Sequence, residues 1–158
     1  MAKSPPPIIY LFKVALAGDK DVWRRIALQS NQTLDDLHWA IFDAFDRDDE
    51  HLYSFYFPKA GARGRTAIRN GIEYTHPYAA EDAGPFGEAG KNAAKAKLHQ
   101  LNLKPRQKFQ YLFDFGDSWW HEITVERLNE PAAKGKYPRV LEKNGESPPQ
   151  YPDMNEDF

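Results

Sequence analysis

The stretch between residues 114 and 122 concentrates side chains that could do acid–base chemistry or bind a metal. Asp114, Asp117, His121 and Glu122 are four ionisable groups within nine residues. Because the chain has no cysteine, a zinc site here would need histidine and carboxylate ligands only. In a strand, however, His121 and Glu122 point to opposite faces. A buried, hydrogen-bonded histidine is therefore the favoured interpretation of His121, with a polar ligand contact and a metal ligand as alternatives.

Two adjacent tryptophans in this stretch indicate a binding surface. Trp119 and Trp120 send large rings to both faces of a strand, which is more than a hairpin requires. An indole offers an apolar body and one donor, so it suits the wall of a binding site. The predicted ligand-binding residues are Asp117, Trp119, His121, His51 and Arg24. The alternative is that the second tryptophan only covers the far side of the sheet; no catalytic residue, metal ligand or cofactor is predicted.

Charged residues elsewhere suggest two further interpretations. Of the neighbouring Arg24 and Arg25, at most one can serve a given site, where it could bind a phosphate or carboxylate. The favoured role of the pair is to bind the acids between Asp46 and Glu50. Six cations occur between residues 91 and 108 without an acid, which predicts at most weak nucleic-acid binding: Lys91, Lys95, Lys97, Lys104, Arg106 and Lys108. The chain has no Gly-rich phosphate loop, nucleophile elbow or HExxH pair, so enzymes of those families are excluded.

Two strand hairpins and one helix are predicted to position these side chains. Alternating apolar residues predict strands over 8–17 and 22–28, and Thr33 with Asp36 forms a capping box for a helix from Leu34 to Phe45. Further strands are predicted over 51–57, 109–114 and 119–128, with a short hairpin between Thr66 and Tyr74. Residues 75–90 are predicted to form a loop without regular secondary structure, apart from one short helical turn. An Ala-rich helix is predicted over 91–101, and the proline-rich stretch from Ala132 onward is predicted to be irregular.

Length and composition limit the class of protein. At 158 residues with 41% hydrophobic and 14% aromatic residues, the chain fits one folded domain. The net charge of −2 gives no general attraction to nucleic acid. No apolar run is long enough for a membrane span, so no membrane association is expected. The absence of cysteine fits a reducing compartment, and the expected location is the cytoplasm.

The run YLFDFGDSWWHEI, residues 111–123, resembles the plasmid pRiA4b ORF-3-like family. Supporting matches are the stretches 22–26, 33–38 and 51–52. The resemblance implies an α+β fold whose first half is similar to a ubiquitin-like β-grasp, and some members are described as resolvase-like passengers of insertion sequences. This chain departs from the family at two places. It has His51-Leu52-Tyr53 where many members read His-x-His, and Ser147-Pro148-Pro149-Gln150-Tyr151 where many carry Cys-Pro-Pro-Glu-Asp.

The sequence therefore predicts one α+β domain with a mixed or antiparallel sheet. Its first half is expected to be a β-grasp-like strand–strand–helix unit, and a second hairpin follows a shorter helix. Residues 1–7 are expected to be a flexible lead, 8–141 the domain and 142–158 a Pro-rich acidic tail. The predicted function is a non-enzymatic binding module for a protein or a small anionic ligand, with a link to mobile genetic elements. The alternative is a small enzyme or a His/carboxylate metal-binding protein that uses the hairpin between Asp114 and Glu122.

Overall fold

The fold is known from a computed structural model that describes residues 8–59, 64–81 and 90–150. Eight strands are found in this part of the chain: β1 (Ile8–Leu16), β2 (Trp23–Gln29), β3 (Tyr53–Phe57), β4 (Ile72–Thr75), β5 (Lys91–Asn92), β6 (Lys108–Phe113), β7 (Trp119–Pro131) and β8 (Arg139–Asn144). The helices in the same residues are α1 (Leu34–Ala44), α2 (Arg65–Arg69) and α3 (Pro77–Glu81).

The described strands form one sheet in the order β5-β4-β3-β6-β7-β1-β2-β8. Neighbouring strands are antiparallel except for the short parallel pair β4 and β5. Two of the three predicted hairpins are present, with Tyr10 opposite Leu28 in the β1–β2 hairpin and Tyr111 opposite His121 in the β6–β7 hairpin. The prediction of one α+β domain with a mixed, mostly antiparallel sheet is confirmed.

Helix α1 covers one face of the sheet, as its sequence predicts. Thr33 and Asp36 form the reciprocal capping box, and Asp35 adds a favourable negative charge in the first turn. The buried face of the helix includes Leu37 and Ile41, which are at most 1% exposed. This face packs into the main core together with inward side chains from β1, β2, β3, β6 and β7. The predicted helix is confirmed.

The two adjacent tryptophans lie on opposite faces of β7. Trp119 is half-buried and packs against the main core. Trp120 belongs to a second, smaller cluster on the other face, where it packs with Tyr56 and Leu112. The predicted division of the two rings between the faces is confirmed, and it leaves Trp119 on the same face as His121.

The predicted helix over 91–101 is wrong. This segment contains β5 and two 3₁₀ turns, Ala93–Lys95 and Leu98–Gln100. The backbone of Ala96 accepts a hydrogen bond from the amide of Leu34, and the amide of Leu98 donates to the carbonyl of Gln32. These contacts hold the segment against the start of α1 and bury Ala93 and Leu98. Tertiary hydrogen bonds therefore override the helix propensity of the alanines.

Two other sequence predictions also need correction. The stretch from Thr66 to Tyr74 is not a hairpin, because α2 leads through Asn70 into β4, which pairs with β3. Gly71 is required there, since an added Cβ would lie 2.3 Å from the carbonyl oxygen of Phe57. The stretch after Ala132 is not wholly irregular either: it holds β8 between its prolines, paired with β2. The short helix expected within 75–90 is α3, while residues 82–89 and the loop residues 60–63 lie outside the described residues.

Candidate functional site

The turn between β6 and β7 is built by Asp114. Its Oδ1 accepts hydrogen bonds from the backbone amides of Gly116 (3.0 Å) and Asp117 (3.3 Å). Asp114 and Ser118 both have positive φ, at 64° and 57°. Two left-handed residues with an Asp that bonds to the following amides give a tight turn. Asp114 therefore shapes the turn, and Asp117 is exposed at its tip.

His121 lies on the main-core face of β7 and is fully buried. Its Nδ1 is 3.0 Å from the carbonyl oxygen of Trp119, which can only accept, so Nδ1 carries the proton. Its Nε2 therefore accepts from Nη2 of Arg47, 3.2 Å away. Burial, together with the positive charge of Arg47, lowers the pKa of His121 to about 3. At neutral pH this histidine is an uncharged side chain whose two ring nitrogens are both engaged.

Arg47 is a buried cation whose charge is not neutralised by an acid in the described chain. It is 6% exposed, and its guanidinium lies 4.3 Å above the ring of Trp119, with the rings of Phe113 and Phe45 at 5.7 and 5.9 Å. None of the ion pairs among the described residues includes it. Its Nη1 is buried and has no hydrogen-bond partner within residues 8–59, 64–81 and 90–150. Burial lowers the pKa of Arg47 to about 10, so the side chain remains charged at neutral pH.

Trp119 provides a second buried donor nitrogen. Its indole Nε1 has no hydrogen-bond acceptor in the part of the chain that the structure describes, in contrast to the usual pairing of buried polar atoms. Trp119 also borders a cavity of about 290 Å³. The other described residues that line this cavity are Leu16, Ala17, Gly18, Asp19, Ser118, Trp120 and Pro148. Trp119 thus contacts the buried guanidinium of Arg47 and also borders the cavity, whereas Arg47 is not among the described residues that line it.

A segment near the end of the described chain, residues 147–150, holds the loop that carries Arg47; we call it the strap. Oγ of Ser147 donates to the carbonyl of Phe45 at 2.9 Å. Oε1 of Gln150 accepts from the amides of Asp48 and Asp49 at 2.8 and 3.0 Å. The strap therefore fixes the loop on both sides of Arg47. These are two positions at which the chain departs from the pattern of many family members, and here Ser147 and Gln150 serve as hydrogen-bonding residues.

Arg24 is also buried, but two of its three guanidinium nitrogens donate to backbone carbonyls. Nε donates to Ala44 at 2.8 Å, and Nη1 lies 3.0 Å from the carbonyls of both Asn144 and Gly145. It thus joins the end of α1 to the end of β8. The expected pairing of Arg24 and Arg25 with the acids between Asp46 and Glu50 is confirmed only as an electrostatic attraction between Arg24 and Asp46. For Arg25 it is wrong, because Arg25 forms ion pairs with Glu126 and Glu142.

The structure brings together only part of the predicted ligand-binding set. Trp119 and His121 lie against Arg47, and Arg24 shares the ring of Phe45 with it, at 5.0 Å. His51 lies further out, 3.5 Å from the carboxylate of Asp114. Asp117 points away at the tip of the turn. That these five residues bind a ligand stays a prediction.

Arg47 was missed by sequence reasoning. It stands within the acidic run Asp46-Arg47-Asp48-Asp49-Glu50, which reads as a solvated loop, and the four acids are indeed exposed. The available signal was a single cation inside an acidic run, two residues after the aromatic C-cap of a helix. Its burial depends on Trp119 and on the strap, which are distant in sequence.

A second buried polar group lies under α1. Nδ1 of His38 is 2.6 Å from the hydroxyl of Tyr111, and its ring stacks on Tyr53 at 3.9 Å. Tyr53 in turn donates to Asp35 at 2.5 Å. Burial lowers the pKa of His38 to about 3, with a smaller contribution from His76. Nε2 of His38 is buried and has no partner in the described chain.

The cations predicted as a nucleic-acid surface are all exposed. They are Lys91, Lys95, Lys97, Lys104, Arg106 and Lys108. The ammonium of Lys91 lies 5.8 Å from the ring of Tyr74, and that of Lys108 pairs with Glu122 at 3.2 Å. Nucleic-acid binding stays a prediction. Within residues 8–59, 64–81 and 90–150, no three His, Cys, Asp or Glu side chains are placed to hold a metal ion, and no helix there is long and apolar enough to cross a membrane.

The fold and the site define a class: a single α+β domain with a buried arginine against a tryptophan at one end of a mostly antiparallel sheet. The chain belongs to the plasmid pRiA4b ORF-3-like protein family, which matches residues 8–153. This confirms the resemblance drawn from the run 111–123.

Two relatives illustrate the similarity. The uncharacterized protein y4hQ of Sinorhizobium fredii is 29% identical over 129 residues, which are 82% of this chain and 58% of that protein. This chain therefore spans less than two thirds of that relative's length. A protein of unknown function from Methanosarcina mazei Go1, solved by crystallography, has the same fold, with a TM-score of 0.68 and 24% identity over 92% of this chain and 74% of that chain.

Proposed function

We propose that this protein is a non-enzymatic binding module for a small anionic ligand, and that Arg47 receives the negative charge of that ligand. The observation that carries the proposal is the buried guanidinium with an unpartnered Nη1 and no acidic partner in the described residues. Burying an unpaired charge is unfavourable by several kcal/mol, and buried charges are normally paired. An anion bound next to Arg47 would supply the missing partner.

The arrangement of the hairpin favours binding over catalysis or metal ligation. Asp114 is occupied by backbone amides, and His121 is neutral, buried and hydrogen-bonded at both nitrogens. Glu122 lies on the opposite face of β7, where Lys20 and Lys108 bind it. The four ionisable groups that suggested acid–base chemistry are thus divided among three surroundings, and this supports the binding module against the enzyme or metal-binding alternative.

Three finer points belong to the same proposal. The unit β1–β2–α1 is interpreted as β-grasp-like, supported by an antiparallel hairpin followed by a helix on one face of the sheet. A cytoplasmic location is supported by the absence of cysteine. A link to mobile genetic elements rests on membership of a family described by a plasmid reading frame.

Ligand-induced stabilisation tests the binding function. The melting temperature of the wild type should rise with the concentration of a bound anion, because a ligand present at 100 times its Kd stabilises by about 2.7 kcal/mol. Arg47→Met should lose this response. Arg25→Met is the matched control, since it removes a cation that is already paired on the other face of the sheet, and it should keep the response. If no anion in a panel of carboxylates, phosphate, sulfate and chloride stabilises the wild type, the proposal is wrong.

A further inference from the structure

We infer that a second cavity, at the end of the sheet opposite to Arg47, binds a nucleobase that carries a phosphate group. The base belongs either to a free nucleotide or to a single-stranded nucleic acid, because both present the same two chemical groups. The inference is independent of the proposed function, since Arg47, Trp119 and His121 are not among the residues that line this cavity. It follows from the aromatic rings, the carboxamides and the cations that meet there.

The cavity lies where β3 ends and β4 and β6 begin. Phe57 and Ile72, which are opposite each other in β3 and β4, border it together with Gln107, the residue before β6. Arg47 lies over the ring of Phe113, at the other end of β6. The cavity has a volume of about 420 Å³, within the range of roughly 300–1,000 Å³ that is usual for small-molecule sites. The two sites can therefore be tested separately.

Two aromatic rings form part of the cavity wall. The rings of Phe57 and Tyr74 both border the cavity, and their centroids are 5.5 Å apart at an angle of 82°. Phe57 is also stacked on the buried Phe109, with ring centroids 4.5 Å apart, and this contact holds it in place. Aromatic side chains bind every kind of nucleobase by stacking, because each base has a π-face. A planar base that enters the cavity can thus stack on a ring that the fold already positions.

Two carboxamides favour a nucleobase over a simple phenyl ring. The side chains of Asn70 and Gln107 border the cavity. Oε1 of Gln107 accepts a hydrogen bond from the amide of Lys104 at 2.9 Å, so its NH₂ group can donate to a ligand. A carboxamide combines a donor and an acceptor, and the edges of nucleobases offer groups that pair with both. A phenyl ring has no edge groups for these amides to bind.

The charges around the cavity suit a phosphate. Lys59 is the one charged residue among the described residues that line it. Lys91, the cross-strand partner of Tyr74, has its ammonium 5.8 Å from that ring. Glu73 lies beside Tyr74 in the sequence, but its carboxylate binds the hydroxyl of the buried Ser54 at 2.6 Å. A phosphate attached to the bound base would therefore lie near cations, with no acid on the cavity wall in the described residues.

The test is a calorimetric titration of the full chain at constant ionic strength. The ligands are adenosine 5′-monophosphate, adenosine, ribose 5-phosphate, single-stranded oligo(dA) and the duplex of oligo(dA) with oligo(dT). Adenosine 5′-monophosphate should bind more tightly than adenosine or ribose 5-phosphate, because it alone of the three carries both groups. The single strand should bind more tightly than the duplex, in which the bases are already paired and stacked.

Two variants with matched controls test the residues. Tyr74→Leu removes the ring and keeps an apolar side chain, so it should weaken binding about fivefold or more. Tyr10→Leu makes the same change at another half-buried tyrosine that packs on the main core, and it should bind as the wild type does. Lys59→Gln should weaken binding and reduce the slope of log K against log salt for the oligonucleotide by about 1. Lys143→Gln, at an exposed lysine of β8 on the far edge of the sheet, is its control.

Each outcome supports or overturns the inference. Binding that is weakened in Tyr74→Leu and Lys59→Gln but not in the controls supports it; tighter binding of the oligonucleotide then identifies a single strand as the source of the base, and tighter binding of the mononucleotide identifies a free nucleotide. Equal affinity for ribose 5-phosphate and adenosine 5′-monophosphate overturns it, because the base would contribute nothing. Equal affinity for duplex and single strand overturns it as well. Binding that is lost in Arg47→Met and kept in Tyr74→Leu belongs to the anion site of the proposed function and contradicts this inference. The absence of binding by every one of these ligands also overturns it, whereas the proposed function is judged by its own anion panel.

Discussion

Replacing Arg47 with methionine should change the free energy of unfolding by no more than about 1 kcal/mol. In the ligand-free protein, burial lowers the pKa of Arg47 from 12.5 to about 10, which corresponds to about 3 kcal/mol of unfavourable free energy for the charged form. Methionine removes that charge and keeps much of the apolar stem. The variant also loses two stabilising interactions. These are the stacking on Trp119, worth about 2 kcal/mol when desolvated, and the hydrogen bond to His121, worth about 1 kcal/mol. The opposing contributions nearly cancel.

Arg24→Met is the matched comparison, because Arg24 is the other buried arginine bound over the ring of Phe45. Its guanidinium donates to the carbonyls of Ala44, Asn144 and Gly145. Its loss leaves these carbonyls without their partner, at about 1 kcal/mol or more each. Arg24→Met should therefore lower the free energy of unfolding by about 3 kcal/mol or more, or prevent folding.

The measurement is urea unfolding at pH 7 followed by circular dichroism, in a buffer free of carboxylates, with free energies from linear extrapolation. Equal m-values in the wild type and Arg47→Met would show that the two unfold from comparably compact states. A loss in Arg47→Met as large as that in Arg24→Met would refute the reasoning, because Arg47 would then stabilise the fold as an ordinary structural arginine and would not need an external anion.

Three further predictions concern the groups around the site and the core. Because His38 and His121 have folded-state pKa values near 3, below the ordinary value of 6.5, the unfolded chain binds protons that the folded chain does not. Stability should therefore be greatest above pH 6.5 and fall by up to about 3 kcal/mol per pH unit between pH 6 and 4; a flat unfolding profile over that range contradicts this. Gln150→Ala should release the strap and speed hydrogen exchange of the Trp119 indole N–H, measured by NMR, and an unchanged rate would show that the strap does not cover the site. Ile41→Ala should lower the free energy of unfolding by about 2–5 kcal/mol, and an unchanged unfolding midpoint would remove α1 from the core.

Elements whose signals are local could be predicted from the sequence. Thr33 and Asp36 mark the start of α1, because the capping box needs only these two side chains and the backbone between them. Alternation of apolar residues gave both hairpins and the opposite directions of Trp119 and Trp120. In each case the interactions that form the element lie within a few residues of the sequence pattern that predicts it.

Elements that depend on distant contacts could not be predicted. The Ala-rich segment after Lys91 favours a helix on propensity alone, yet hydrogen bonds to residues 30–34 hold it in extended and 3₁₀ form. Strand β8 forms because the edge of β2 offers unpaired backbone groups to Arg139–Asn144, a stretch without proline. The residue pattern of a segment does not show which edge strand of the sheet will be available to pair with it.

The same limit explains why half of the site was predicted and half was not. Trp119 and His121 stand out because their residue types exceed what a hairpin needs. Arg47 does not, since exposed acids surround it in sequence and its burial is produced by the strap and by Trp119.

The contrast between two buried arginines is the strongest argument that Arg47 has a binding role. The fold supplies Arg24 with carbonyls from α1 and from the end of β8, which is how a chain satisfies a cation that only has to hold elements together. It supplies Arg47 with one neutral histidine and aromatic rings. Local rules are usually broken at functional sites. A buried charge with aromatic neighbours and one nitrogen that lacks an acceptor among the described residues supports the proposal that Arg47 binds an anion.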